Sequence, residues 1–230
     1  MYNLLTYLKE FESNAAMHNL MDDPMMQMAR WAIVGRLTAS LFHEINNPLQ
    51  AVRGAASLGL EELDDPDALR LYLELTLRET ERVVNLIERA RQVYRPERQQ
   101  REPVDVVHVL HEALLLTRKE MERKGVQVEL LLAENLPPIT AVASEILLAI
   151  LCPLLQFSDA LAAVPDSILQ LYAQWVGDVI VIELKSTDTQ LPEAGFFLIL
   201  CPRIVAAYGG TVSQMQREAE AVIEIRLPAA

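Results

Sequence analysis

The sequence predicts an α+β chain: a long helical hairpin that pairs with a second copy into a four-helix bundle, followed by an α/β sandwich with helices on one face of a sheet. Three observations lead there. Apolar residues up to about position 95 recur at alternating steps of three and four, the spacing of a bundle seam. The charged stretch 95–103, RPERQQREP, bounded by Pro96 and Pro103, reads as a linker. Beyond it, short alternating runs are interleaved with helix-length apolar segments and glycine stops. The resulting division is 1–24 lead helix, 25–97 helical hairpin and 98–230 sandwich domain.

The elements follow in order. Residues 2–20 read as an amphipathic lead helix, ended near Asp22-Asp23-Pro24. A long helix from Pro24 to Leu63 has Trp31, Val34, Thr38, Leu41, Ile45 and Val52 as its seam. Asp64-Asp65-Pro66 combines a turn, an N-cap and a proline at a helix start. The second helix runs to Tyr94, with Leu73, Thr76, Thr80, Val83, Ile87, Ala90 and Tyr94 as its seam. One hairpin cannot cover two apolar stripes, so a C2 homodimer is expected; the alternative cover is the lead helix.

In the second part, Val107–Lys124 reads as a helix stopped by Gly125, and Val126–Ala133 as a strand. Ser144–Leu161 is helical, with Pro153 expected to disturb it. Ile168–Trp175 and Val179–Lys185 form a hairpin around Gly177-Asp178. Phe196–Tyr208 is a helix closed by Gly209-Gly210, and Thr211–Gln216 and Ala221–Leu227 are strands.

Composition narrows the function. The 230 residues carry 20 Lys plus Arg against 32 Asp plus Glu, a formal charge of −12. Such a surface repels phosphate backbones and anionic lipid, so neither nucleic acid nor membrane is expected as a partner. Cys152 and Cys201 lie in apolar runs and read as buried, reduced thiols. No secretory leader is recognisable in MYNLLTYLKEFES, and no uninterrupted apolar stretch approaches the ~20 residues of a membrane span. A cytoplasmic location is therefore expected. Trp31 and Trp175 read as core residues, and Met25-Met26-Gln27-Met28 as bundle packing. His108 and His111, three apart beside Glu112, lack a distant third ligand for a metal.

The informative segment is Gly35–Leu49. With Ile45 in the seam, His43 falls on the outer face, and Arg36 and Gln50 lie one heptad away on the same line. An exposed imidazole is substantially neutral near pH 7 and can act as a nucleophile. Glu44 beside it can hold one ring N–H and sharpen the other nitrogen. Asn47, one turn on, can orient a phosphoryl oxygen or an attacking water. Pro48 removes a backbone donor and crowds the Glu44 carbonyl, so a helix kink is expected around the histidine.

The heptapeptide His43-Glu44-Ile45-Asn46-Asn47-Pro48-Leu49 resembles the H-box of sensor histidine kinases, and Gly35-Arg36-Leu37 and the hairpin are similar to that family too. The resemblance covers about residues 28–95. It implies that His43 is the phosphorylated histidine and Glu44 its activating acid. It also implies that Glu44 and Asn47 match the acid-x-x-Thr/Asn pattern of partner dephosphorylation, and Pro48 the kink proline.

The second domain resembles the family's Bergerat-like nucleotide-binding sandwich in the order and length of its elements, and Cys201–Gly210 resembles the helix and glycine pair after the second glycine box. Its nucleotide chemistry departs from the family. In the best register Pro153 and Phe157 replace the two asparagines that help hold magnesium and phosphates. Asp188 is the only aspartate after the central strand, without the glycines that should follow it. Phe197 stands where backbone must approach phosphate, and seven residues between Thr187 and Gly195 replace the lid. No Gly-x-Gly occurs anywhere. The domain is therefore expected to be degenerate, its old cleft packed shut, and to serve as a docking or bracing surface.

The resemblance, with these losses, implies a histidine phosphotransferase or pseudo-histidine-kinase. It exchanges phosphoryl groups at His43 with response-regulator receiver domains and binds no ATP. It needs no cofactor of its own, the magnesium being the receiver's. Three alternatives stay open: a response-regulator phosphatase using Glu44 and Asn47, an active ATP-dependent kinase, and a non-catalytic dimeric adaptor.

Overall fold

The computed structural model describes residues 24–94, 100–187, 192, 195–217 and 220–230. The expected lead helix, most of the linker and Asp188 lie outside these residues. Helices α1 (Pro24–Glu61) and α2 (Pro66–Tyr94) pack against each other as an antiparallel hairpin. The turn forms as its sequence requires. Asp65 Oδ1 accepts from the backbone N–H groups of Asp67 and Ala68, both at 3.1 Å, and Pro66 occupies the first helical position. Near the turn Gly59 is buried, and a Cβ there would sit 3.4 Å from Leu69 Cδ1, so the helices close tightly at this end. The seam threonines satisfy themselves: Thr38, Thr76 and Thr80 donate to the carbonyls four residues back at 2.6, 2.8 and 2.7 Å.

The second domain opens with strand β1 (Glu102–Val104), which pairs antiparallel with β3 (Ile139–Ala141). Sequence alone missed both strands and placed Glu102 and Pro103 in the linker. Three residues are too few to show a period; the pairing partner makes the strand. Helix α3 (Val106–Arg123) is capped by Asp105, which accepts from Val107 N at 2.9 Å, and ends at Gly125 with φ of 72°. The remaining elements are β2 (Gln127–Leu132), α4 (Ala143–Leu161), β4 (Ile168–Val176), β5 (Val179–Ser186), α5 (Phe196–Ala206), β6 (Thr211–Arg217) and β7 (Glu220–Pro228).

A five-stranded sheet runs in the order β2-β4-β5-β7-β6, with only β2–β4 parallel. Helix α4 is the centre of the domain. It is long and apolar enough to cross a membrane, but 83% of its apolar window is buried, so it is a core helix. It continues through Pro153 without interruption, and Pro153 and Phe157 are both buried in the apolar core. Cys152 and Cys201 are fully buried free thiols; burial pushes both upward, Cys201 to about 12. The glycine pair serves two needs. Gly209 adopts a φ of 72°, and a Cβ on Gly210 would clash with the Arg226 carbonyl and the Val205 side chain.

Within the chain, the second domain covers a hairpin stripe beside the expected seam, and Val34 and Leu41 of that seam pack against the same core. Met26, Ile33, Leu37 and Val93 are nearly solvent-free and belong to the same apolar core as Leu110, Leu151 and Ile204 of the second domain. Trp31, expected in the core, is 64% exposed, and Leu73 and Ile87 of the α2 seam are also exposed. The reason is that the base of the hairpin docks on the helices of the second domain, which selects the stripe one position away from Val34 and Thr38. Trp175 is likewise exposed, at the tip of the β4–β5 hairpin rather than in the core. Met26 packs in that shared core, not in a bundle, and Met28 is exposed.

Candidate phosphoacceptor site

The site lies midway along α1, which runs unbroken through Pro48; Pro48 itself is buried. His43, Asn47 and Gln50 are exposed, as the helical period predicts, and His43 and Asn47 stand one turn apart. Arg36 departs from that line. Instead of facing solvent it turns into the second domain, with its side chain 18% exposed.

Its guanidinium makes five hydrogen bonds there. Nη1 and Nη2 form a fork on Asp159 of α4 at 2.6 and 2.7 Å. Nε and Nη2 reach Glu120 Oε1 of α3 at 3.2 and 3.0 Å, and Nη2 also reaches the Leu155 carbonyl at 3.0 Å. Lys124 completes the cluster, bonding Asp159 at 2.6 Å and Glu120 at 3.0 Å. Burial by itself would raise the Glu120 and Asp159 carboxyls. The hydrogen bonds and charges of Arg36 and Lys124 outweigh it and hold both below the ordinary carboxylate range.

A second buried arginine sits two turns earlier. Arg30 is 3% exposed and donates to the Val93 carbonyl at 2.8 Å, in the field of Glu145 and Tyr208. Tyr208 donates to Glu145 at 2.6 Å and accepts from Val142 N; burial, then the Glu145 contact, pushes its hydroxyl upward.

Glu44 projects to the side of α1 adjoining His43, as expected, and its side chain is 12% exposed. Its partner is Arg118 of α3, Nη2 to Oε1 at 3.4 Å. The sequence gives no hint of that partner, because Arg118 sits on an exposed face 74 residues away. Glu120 and Arg30 were findable: each is a charged residue on an otherwise apolar helical stripe, Leu110-Ala113-Thr117-Glu120 and Met26-Arg30-Ile33-Leu37. A buried charge on such a stripe implies a paired partner. Among the described residues no group of three metal-ligating side chains exists, and His111 Nδ1 is engaged with the Val107 carbonyl at 2.8 Å. The side chain of Phe197 is not among those described.

An exposed imidazole thus stands midway along a two-helix hairpin, with an acid beside it and an α/β sandwich after it. Residues 33–99 match the His Kinase A (phospho-acceptor) domain. Residues 33–99 thus carry a phospho-acceptor domain of that kind, and the chain is similar to sensor histidine kinases beyond it. Among its relatives, the signal transduction histidine-protein kinase AtoS of Escherichia coli is 30% identical over 139 residues, 59% of this chain and 23% of AtoS. The sensory histidine kinase/phosphatase NtrB of Rhizobium meliloti is 32% identical over 130 residues, 55% of this chain and 32% of NtrB. The chain thus spans a third or less of the length of these relatives. The histidine kinase ThkA, solved in complex with the response regulator TrrA, shares the fold with a TM-score of 0.50 at 18% identity, over 100% of this chain and 68% of that one. A histidine kinase of Burkholderia phymatum has a TM-score of 0.51 at 13% identity, over 86% and 98%.

Proposed function

We propose that this chain is a histidine phosphotransferase of the pseudo-histidine-kinase kind, exchanging phosphoryl groups between His43 and receiver domains without binding ATP. The observation that carries the reading is the burial of Pro153 and Phe157 in the apolar core. They occupy the positions at which the family resemblance puts magnesium- and phosphate-holding asparagines, and neither side chain has an oxygen to offer. The residues present do not fit a magnesium nucleotide on α4.

In this mechanism a receiver domain docks beside the exposed middle of α1. The neutral ring nitrogen of His43 attacks the phosphorus of an aspartyl phosphate in line. An N–P bond forms, the P–O bond to the aspartate breaks, and its electron pair stays on the aspartate carboxylate. The imidazole becomes cationic, and Glu44 stabilises that charge through the second ring N–H. The reverse attack, by a second receiver's aspartate, discharges it. Magnesium is the receiver's.

The chain works as a homodimer in the cytoplasm. Phe42, Leu49, Leu60, Leu73, Leu77 and Ile87 leave apolar surface exposed along both hairpin helices, which a second copy covers.

The test uses radiolabelled ATP with magnesium in one arm, and receiver domains charged by acetyl phosphate in the other. The expected result is acid-labile label from a charged receiver, absent in His43→Gln, and none from ATP. His43 label from ATP alone would make the chain a kinase. Loss of receiver phosphate without label, dependent on Asn47, would make it a phosphatase.

A further inference from the structure

The second domain reaches the phosphoacceptor helix at two points eight residues apart on α1. Arg36 is gripped by Glu120 and Asp159, and Glu44 is met by Arg118. The pairs are reciprocal. Helix α1 supplies a cation and then an anion, and α3 supplies Glu120 to the first and Arg118 to the second. The first point is the stronger, with the Glu120 side chain 4% exposed and a two-bond fork on Asp159. Beside it on α1 lie the buried Arg30, and Ile33 and Leu37, both within 1% of full burial. This grip fixes α3 beside α1, so the Arg118 guanidinium is held at the H-box by a built interface rather than by chance encounter.

We propose that Arg118 is a positioning residue of the phosphoacceptor site, supplied by the second domain to orient the Glu44 carboxylate for His43. This rests on the reading of His43 as the phosphoacceptor.

The physical argument concerns the carboxylate's freedom. Neighbouring residues on a helix point about 100° apart, so Glu44 must adopt one particular side-chain geometry to serve the imidazole. Free in solvent, a glutamate distributes itself over many rotamers. Arg118 engages Oε1 alone; Oε2 has no partner among the described residues and stays available to accept from a ring N–H. The other carboxylate near Arg118, Glu122, lies at 3.9 Å from Nε and is itself taken by Lys119 at 2.6 Å. Glu44 is thus the nearer of the two carboxylates to Arg118. The arrangement assigns the second domain a role at the phosphoacceptor that needs no nucleotide.

The test uses the full chain and potassium phosphoramidate, a small phosphodonor that requires no identified partner. His43 attacks phosphorus, the donor's P–N bond breaks, and its nitrogen leaves as ammonia. The rate of His43 phosphorylation is followed in wild type, R118A, R118K, E44Q and the E44Q/R118A double variant. Arg118 is half exposed, so R118A is expected to melt as the wild type does. The expected result is a loss of about tenfold in R118A, as for other groups that orient a reacting residue. R118K should restore most of it, and R118A should cause no further loss once Glu44 is glutamine. A residue acting only through folding would not show that dependence on Glu44. A wild-type rate in R118A, or an equal loss in the E44Q background, would overturn the assignment while leaving His43 as the acceptor. A wild-type chain that never takes label at His43 would overturn the phosphoacceptor reading itself, and this assignment with it.

Discussion

The two halves of α1 are one continuous helix with opposite surroundings. From Pro24 to Thr38 its inner face carries Met26, Arg30, Ile33 and Leu37, all nearly solvent-free, and Arg36 is tied into the second domain. From Leu41 to Glu61 the same helix shows Phe42, Leu49 and Leu60 to solvent, with His43 among them. The first half is part of the second domain's core; the second leaves apolar side chains and His43 exposed. The difference shows that the apolar core of the second domain reaches onto the hairpin as far as Leu37.

The strongest way to break this comparison is a charge in each half. Ile33→Asp places an unpaired carboxylate in the shared core and should cost about 4 kcal/mol, read as a fall in the urea midpoint. Leu49→Asp, at a half-exposed position, should cost less than about 0.5 kcal/mol within the protomer, while weakening self-association measured by sedimentation. If the two cost the same, the halves are not different in kind.

A smaller effect sharpens it. Arg36→Ala leaves Glu120 to Lys124 and Arg123, and Asp159 to Lys124, and should destabilise by about 2 kcal/mol in the same urea series. The pH dependence of this grip has a definite sign. Both carboxyls are held below their ordinary range in the folded chain, so their stabilisation is complete above that range, about pH 4, and is lost as pH falls through the depressed values. Thermal melts should therefore be flat from neutrality to mildly acid pH and fall steeply below it, and Arg36→Ala should shrink that fall. Smallest of all, Trp175→Ala at the exposed hairpin tip should shift the melt by less than about 0.5 kcal/mol, which a core tryptophan could not do.

Much of the molecule was legible beforehand. The hairpin, its capped turn, the β4–β5 hairpin, the C-terminal strands and the glycine-closed helix follow from local chemistry: caps, prolines, positive-φ glycines and alternation. His43, Glu44, Asn47 and Pro48 were picked out by the resemblance of their heptapeptide to a family motif, and the exposure of His43 followed from period alone. What the sequence did not show was that the second domain covers Ile33 and Leu37, next to the expected seam. Val34 and Thr38 against Ile33 and Leu37 differ by one residue, about 100° around the helix, and both sets are substantially apolar.

By itself, then, the sequence determined most of the segments that are helix or strand, where they stop, and that His43 is presented on the exposed face of the hairpin, because those depend on neighbours within a few positions. Only the tertiary structure decided that Arg36 faces inward, that Glu44 meets Arg118, and that the base of α1 completes the second domain's core. The two polar contacts join residues 74 and 123 positions apart, and the core contact with α5 joins residues farther apart still. A helix period names the faces available for burial but not the surface that will cover each one.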